Sequence, residues 1–95
     1  MNINKSSQNQ RYYVYTLLSL KDLNFYTGFT TDLKARLIKH AKGLVKSTKF
    51  RTPFKLIHYE YFVNIDDAKA REIFLKSGFG RQQLRLALKR TLKNI

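Results

Sequence analysis

Apolar residues in this chain follow two rhythms, and their order predicts a small layered domain. Residues 12–18 (YYVYTLL) are a dense run of aromatic and β-branched side chains, which predicts a strand. Residues 19–24 (SLKDLN) bring the turn formers Asp22 and Asn24, and residues 25–29 (FYTGF) predict a second strand. So short a gap favours an antiparallel hairpin. Alternation puts Tyr13 and Tyr15 on one face of the first strand, and Tyr26 and Gly28 on one face of the second.

The rhythm then changes to that of a helix. Thr31 and Asp32 supply a capping oxygen, and Leu33, Leu37, His40, Ala41 and Leu44 fall at helical spacing, with Gly43 expected to end the helix. His40 lies inside that apolar stripe, and Arg36 lies at its edge one turn earlier. Residues 46–53 (KSTKFRTP) read as a basic loop, and residues 54–62 (FKLIHYEYF) as a third strand. Asn64 is a candidate N-cap, with Asp66 and Asp67 where negative charge suits a helix start. The second helix is expected to run to about Lys76, with the stripe Ile65, Ala68, Glu72 and Leu75. Ser77, Gly78 and Gly80 are expected to break it. A last helix from about Arg81 would align Arg81, Arg85 and Lys89 opposite Leu84 and Leu88.

The predicted class is therefore α/β: a three-stranded, mainly antiparallel sheet flanked by helices, in the order β-β-α-β-α-α. At 95 residues the chain is one domain. Residues 1–11 are polar and are expected to form a flexible tail, with the domain over 12–95.

Charge changes this picture most. Nineteen Lys and Arg oppose six Asp and Glu, a formal net charge of +13, which points to a polyanionic partner. Nucleic acid is favoured, through phosphate contacts and counterion release, with an anionic membrane surface second. No segment is long and apolar enough to span a bilayer. The chain has no cysteine, which excludes disulfides, thiolate metal sites and a cysteine nucleophile, and fits a cytoplasmic location. A Gly-rich phosphate loop, a His/Cys metal cluster and a glycosidase-type carboxylate pair are also missing.

What remains is a dispersed set of reactive side chains. Glu72 is a carboxylate on an otherwise apolar stripe, a costly place unless it is paired or binds a cation. One carboxylate cannot cage a metal, yet it can hold Mg²⁺ when waters and a substrate phosphate complete the shell. Arg36 suits a phosphate clamp, His40 a proton carrier near neutral pH, and Tyr15 and Tyr26 offer hydroxyls. Taken singly, each has a plain structural explanation: an ion pair, a solvated cation, a hydrogen-bonded core histidine, two strand tyrosines.

Together they form a pattern. Tyr13-Val14-Tyr15, Tyr26-Thr27-Gly28, Arg36, His40 one turn later and Glu72 on the following helix resemble the GIY-YIG nuclease family. The likeness runs from about Tyr12 to Lys89, and residues 70–81 (AREIFLKSGFGR) look like the helix-and-turn segment of small stand-alone bacterial members. Two name positions differ, with Tyr13 for the first glycine and Thr27 for the isoleucine; the nearest amides to the family's last-helix asparagine are Gln82 and Gln83.

The resemblance implies a metal-dependent DNA endonuclease or nickase acting in DNA repair or processing, with RNA as an open alternative substrate. It implies one Mg²⁺ or Mn²⁺ on Glu72, Tyr15 activating water, Tyr26 positioning phosphate or nucleophile, Arg36 binding phosphate and His40 assisting proton transfer. Without a second DNA-binding module, contacts would fall to Lys39, Lys42, Lys46, Lys49, Arg51, Arg81, Arg85 and Lys89. The competing reading is a non-catalytic nucleic-acid-binding module on the same fold. Oligomeric state stays open.

Overall fold

The structure is a computed structural model that describes residues 10–95; most of the predicted tail lies outside the described residues. Three strands carry the domain: β1 (Tyr12–Ser19), β2 (Phe25–Thr30) and β3 (Phe54–Phe62). They form one antiparallel sheet in the order β2-β1-β3, with Tyr15 opposite Gly28 and Tyr59. Helix α1 (Leu33–Ala41) lies between β2 and β3 in the chain, and α2 (Ile65–Lys76), α3 (Gly78–Ala87) and α4 (Lys89–Lys93) follow β3.

The β1–β2 turn is built by side chains acting on backbone. The Ser19 hydroxyl accepts from the amides of Lys21 and Asp22 (both 3.2 Å), and Asp22 Oδ1 accepts from Asn24 N at 2.9 Å. Leu23 takes the left-handed conformation between them, at φ 60. Arg51 reaches across from the loop after α1, bonding Asp22 through Nε at 2.7 Å and the Asn24 carbonyl through Nη2 at 3.2 Å. This cation holds the Asp22 carboxyl down at about pKa 2.

The main core lies on one sheet face, where Val14, Leu18 and Phe25 meet Ala68, Leu75 and Leu84 of α2 and α3. Burial of each such side chain is worth about 1.5–3 kcal/mol. Asn64 caps α2 as expected, accepting from Asp66 N at 2.8 Å. Glu60 of β3 ties the same helix down through Arg71 Nε, at 3.0–3.1 Å. β3 carries one extra residue, Ile57, opposite the Thr16–Leu17 step, which lets it join the core cluster.

Three expectations are corrected. Ser77 does end α2 as expected, but Gly78 and Gly80 belong to the first turn of the next helix rather than to a longer break. Ser77 Oγ accepts from Gly80 N at 3.0 Å, so α3 begins at Gly78, not Arg81. Gly80 is required there because a Cβ would overlap the Phe74 carbonyl of α2. The last helix is also two helices, interrupted at Leu88 (φ −102, ψ 18), so Lys89 opens α4 while Arg81 and Arg85 lie on α3. Finally, the α1 stripe is shallow. The helix ends at Ala41, Ala41 and Leu44 are exposed, and His40 is the one α1 residue that is buried. A polar residue, not a leucine, anchors α1 to the sheet.

Candidate active site

α1 meets the sheet face opposite the main core through His40, and the site forms there. Tyr15 projects there from the central strand and is fully buried, while its neighbours Val14 and Thr16 face α2. Gly28, directly across in β2, has no side chain, and the Tyr15 ring fills the space. A Cβ at Gly28 would lie 2.6 Å from Tyr15 Cζ and overlap the hydroxyl. Gly28 therefore makes room for the Tyr15 phenol.

Four of the five predicted catalytic residues converge. Tyr15 Oη lies 2.7 Å from His40 Nε2 and accepts from Arg36 Nε at 3.4 Å. The Tyr26 ring stands edge-on to His40 at 5.3 Å between centroids and 6.4 Å from Tyr15. Its hydroxyl accepts from Ser47 Oγ at 3.4 Å. Arg36 is held more firmly charged by the hydrogen bond to Tyr15 and the nearby Tyr26. Arg36 also lines an open cleft with Leu44, Val45, Lys46 and Ser47.

Glu72, on α2, hydrogen-bonds to none of the other four among the described residues, and its side chain is 15% exposed, at the margin of the α2 stripe rather than within the core. Its carboxylate pairs with Lys76 at 3.0 Å and Lys69 at 3.8 Å, two lysines with half-exposed side chains. Its field still reaches Tyr15, as the weakest of the influences on that phenol. Gln82 and Gln83 are both exposed on α3.

Burial governs the protonation of the pair. Desolvation raises the Tyr15 pKa above its ordinary 10, although the Arg36 hydrogen bond opposes this, so the phenol keeps its proton at neutral pH. Desolvation, then the Arg36 charge, lowers His40 to about 4, so its imidazole is neutral. A folded pKa below the unfolded 6.5 means that the unfolded chain binds the extra proton first. Stability from this group is therefore complete above about pH 6.5 and is lost as pH falls towards 4, by about 3 kcal/mol at most. Thermal melts from pH 7 to 4.5 should show a falling Tm, and His40→Gln should flatten that slope. A slope unchanged by the substitution would exclude His40 as its source.

One participant is absent from the sequence-level set. Thr48, in the loop after α1, is fully buried and lies 2.8 Å from His40 Nδ1 through Oγ1. A threonine in a basic loop carries no signal that marks it. Of the basic residues read as nucleic-acid contacts, Lys39, Lys42, Lys46, Lys49 and Lys89 are exposed. Arg81 donates to the Lys76 carbonyl at 2.7 Å, and Arg85 lies over the Phe25 ring at 4.2 Å. Arg81 and Lys76 line a second cleft with Phe25, Tyr26 and Thr27, so Tyr26 lies between it and the Arg36 cleft. Arg51 is occupied by Asp22 and the hairpin carbonyls.

Residues 11–85 match the GIY-YIG catalytic domain. A UPF0213 protein of Clostridium perfringens is 38% identical, over 85% of this chain and 87% of its own length. A UPF0213 protein of Haloquadratum walsbyi is 38% identical, over 83% of this chain and 89% of its own length. The solution NMR structure of a UPF0213 protein from Bacillus halodurans superposes with a TM-score of 0.52 at 39% identity, covering 83% of this chain and 85% of that one. With Arg36 beside buried Tyr15 and His40 on a β2-β1-β3 sheet, and a domain match over most of its length, the chain belongs to the GIY-YIG nuclease family, alongside its small stand-alone UPF0213 members.

Proposed function

We propose that the protein is a metal-dependent DNA endonuclease or nickase that hydrolyses phosphodiester bonds at the Tyr15–Tyr26–Arg36–His40 cluster, with Glu72 holding the metal. The observation that carries this reading is the 2.7 Å contact between a fully buried tyrosine hydroxyl and a neutral imidazole, beside a charged arginine. A purely structural core seldom assembles a proton donor, a proton acceptor and a fixed cation on one oxygen.

The chemistry follows from the atoms. Water attacks phosphorus in line, and the P–O bond to the departing oxygen breaks, that oxygen keeping the bonding pair and taking a proton from solvent. Tyr15 Oη takes the proton from the attacking water while its own proton passes to His40 Nε2. No phenolate has to exist beforehand, which suits a phenol whose pKa is raised. The Arg36 guanidinium sits beside the open cleft, where it would bind a phosphate oxygen and offset the charge gained in the transition state. Tyr26 would hold the phosphate in line from the β2 edge.

The donor set limits the metal. Among the described residues no three His, Cys, Asp or Glu side chains form a cluster suited to a metal ion. Glu72 offers a single carboxylate, which fits a hard cation such as Mg²⁺ or Mn²⁺ that keeps its waters and takes phosphate oxygens. When bound, that ion would neutralise charge on the phosphate and its departing oxygen. Lys69 and Lys76, being half-exposed, can swing away as it binds. DNA would lie along the β2 edge, over Lys46, Lys76 and Arg81, with Lys39, Lys42, Lys49, Arg85 and Lys89 adding phosphate contacts. Arg51 is left out of this surface because Asp22 holds it.

The two lysines on Glu72 favour one competing reading, a binding module whose carboxylate serves only as an ion-pair partner. Purified protein incubated with supercoiled plasmid and with branched DNA separates the two. Cutting is expected with Mg²⁺ or Mn²⁺ and not with chelator, and Arg36→Ala should slow it on the order of 10²–10³-fold. Salt-sensitive binding without cutting in any metal would leave the binding module.

A further inference from the structure

The hydrogen-bond directions in the buried cluster can be assigned, and they give a role to a residue outside the family pattern. Tyr15 Oη has two neighbours within hydrogen-bond reach among the described residues, His40 Nε2 and Arg36 Nε. Arg36 can only donate. With no substrate or attacking water at the hydroxyl, the one acceptor for the Tyr15 proton among the described residues is therefore His40 Nε2, which must carry a lone pair. The neutral imidazole then has its hydrogen on Nδ1. Nδ1 faces Thr48 Oγ1 at 2.8 Å, so Thr48 accepts, and its own hydroxyl hydrogen is directed to the Val45 carbonyl at 3.4 Å. The reverse arrangement, with Thr48 donating to Nδ1, would put hydrogen on Nε2 and strand the buried Tyr15 hydroxyl without an acceptor.

We propose that Thr48 is a positioning residue that, by accepting from Nδ1, works with Tyr15 to hold His40 in the Nδ1–H tautomer, so that Nε2 presents a lone pair to the Tyr15 hydroxyl. Thr48 touches neither DNA nor the reacting atoms. It acts by accepting one hydrogen bond, from a loop pinned by its own turn: Thr48 N and Lys49 N both donate to Val45 O, at 3.0 and 2.9 Å. The catalytic consequence rests on the nuclease reading above; the tautomer does not.

The test combines NMR with kinetics. Long-range ¹H–¹⁵N spectra of ¹⁵N-labelled protein at neutral pH should show His40 with hydrogen on Nδ1. Thr48→Val keeps the shape and removes the oxygen; it should convert His40 to the Nε2–H form or a mixture. In plasmid cleavage it should lower kcat about tenfold to a hundredfold with KM unchanged. Thr48→Ser, which restores the acceptor, should recover both the tautomer and kcat. A wild-type spectrum showing Nε2–H would overturn the proposal, whatever the variants do. So would a Thr48→Val protein with the wild-type tautomer, or a changed tautomer with undiminished kcat. If the wild-type protein shows the Nδ1–H form but cuts no DNA, the nuclease reading fails and the tautomer assignment stands.

Discussion

Glu72→Gln is expected to reduce metal-dependent cleavage on the order of 10³-fold while leaving DNA binding as tight or tighter. The substitution keeps size and one hydrogen-bonding oxygen and removes the charge. A hard divalent cation then has no anionic protein ligand at this site, and the several kcal/mol it would contribute to the transition state are lost. Binding moves the other way because Lys69 and Lys76 are released from the carboxylate and become free for phosphate. The fold should hardly notice, since partly exposed ion pairs of this kind contribute about 1 kcal/mol or less. Single-turnover cleavage and salt-dependent binding, measured on the same preparation, check both halves. A variant that cuts at the wild-type rate in Mg²⁺ would remove Glu72 from the mechanism.

Gly28→Ala has the largest expected effect on the fold. The new Cβ would occupy the volume of the Tyr15 phenol, 2.6 Å from Cζ, in a region with no spare room. Either the ring moves, breaking the hydroxyl's bonds to His40 and Arg36, or the edge strand β2 moves. Overpacking of this sort costs about 1–3 kcal/mol, and leaving a buried hydroxyl unpaired adds about 1–3 more. Together they predict a Tm drop of roughly 10 °C or greater for a domain of this size. Cleavage should fall even at temperatures where the variant stays folded. A variant melting like the wild type would show that the strand yields freely at this position.

The strands and α2 were legible because their signals are local. Residues 12–16 are β-branched and aromatic without interruption, and Asn64 with Asp66 and Asp67 spells a helix start. The α3 start was misread because glycine usually signals a break, while its role here depends on contact with Phe74 in another helix. The Arg81–Arg85–Lys89 line assumed one continuous helix, and the backbone at Leu88 interrupts it. Stripe periodicity also overstated the apolar face of α1, since Ala41 and Leu44 are exposed, while the helix stops short of Gly43 (φ 71) as expected.

The family pattern, not periodicity, names Tyr15, Tyr26, Arg36 and His40 together, and they are neighbours in the fold. His40 at helical spacing looks the same whether its partner is a tyrosine or a leucine. Glu72 shows the limit from the other side. Its lysine partners stand three residues before and four after it, a spacing visible in the sequence. Thr48 could not be seen, because its bond to His40 depends on how the loop folds back under α1.

Everything proposed for catalysis turns on one oxygen, the Tyr15 hydroxyl. Tyr15→Phe removes it and leaves the buried ring in place. Single-turnover plasmid cleavage by wild type and Tyr15→Phe, at saturating protein with Mg²⁺, measures its contribution directly. The account predicts a rate lower by about 10²-fold or more, with DNA binding and Arg36–phosphate contacts intact. Equal rates for the two proteins would contradict it.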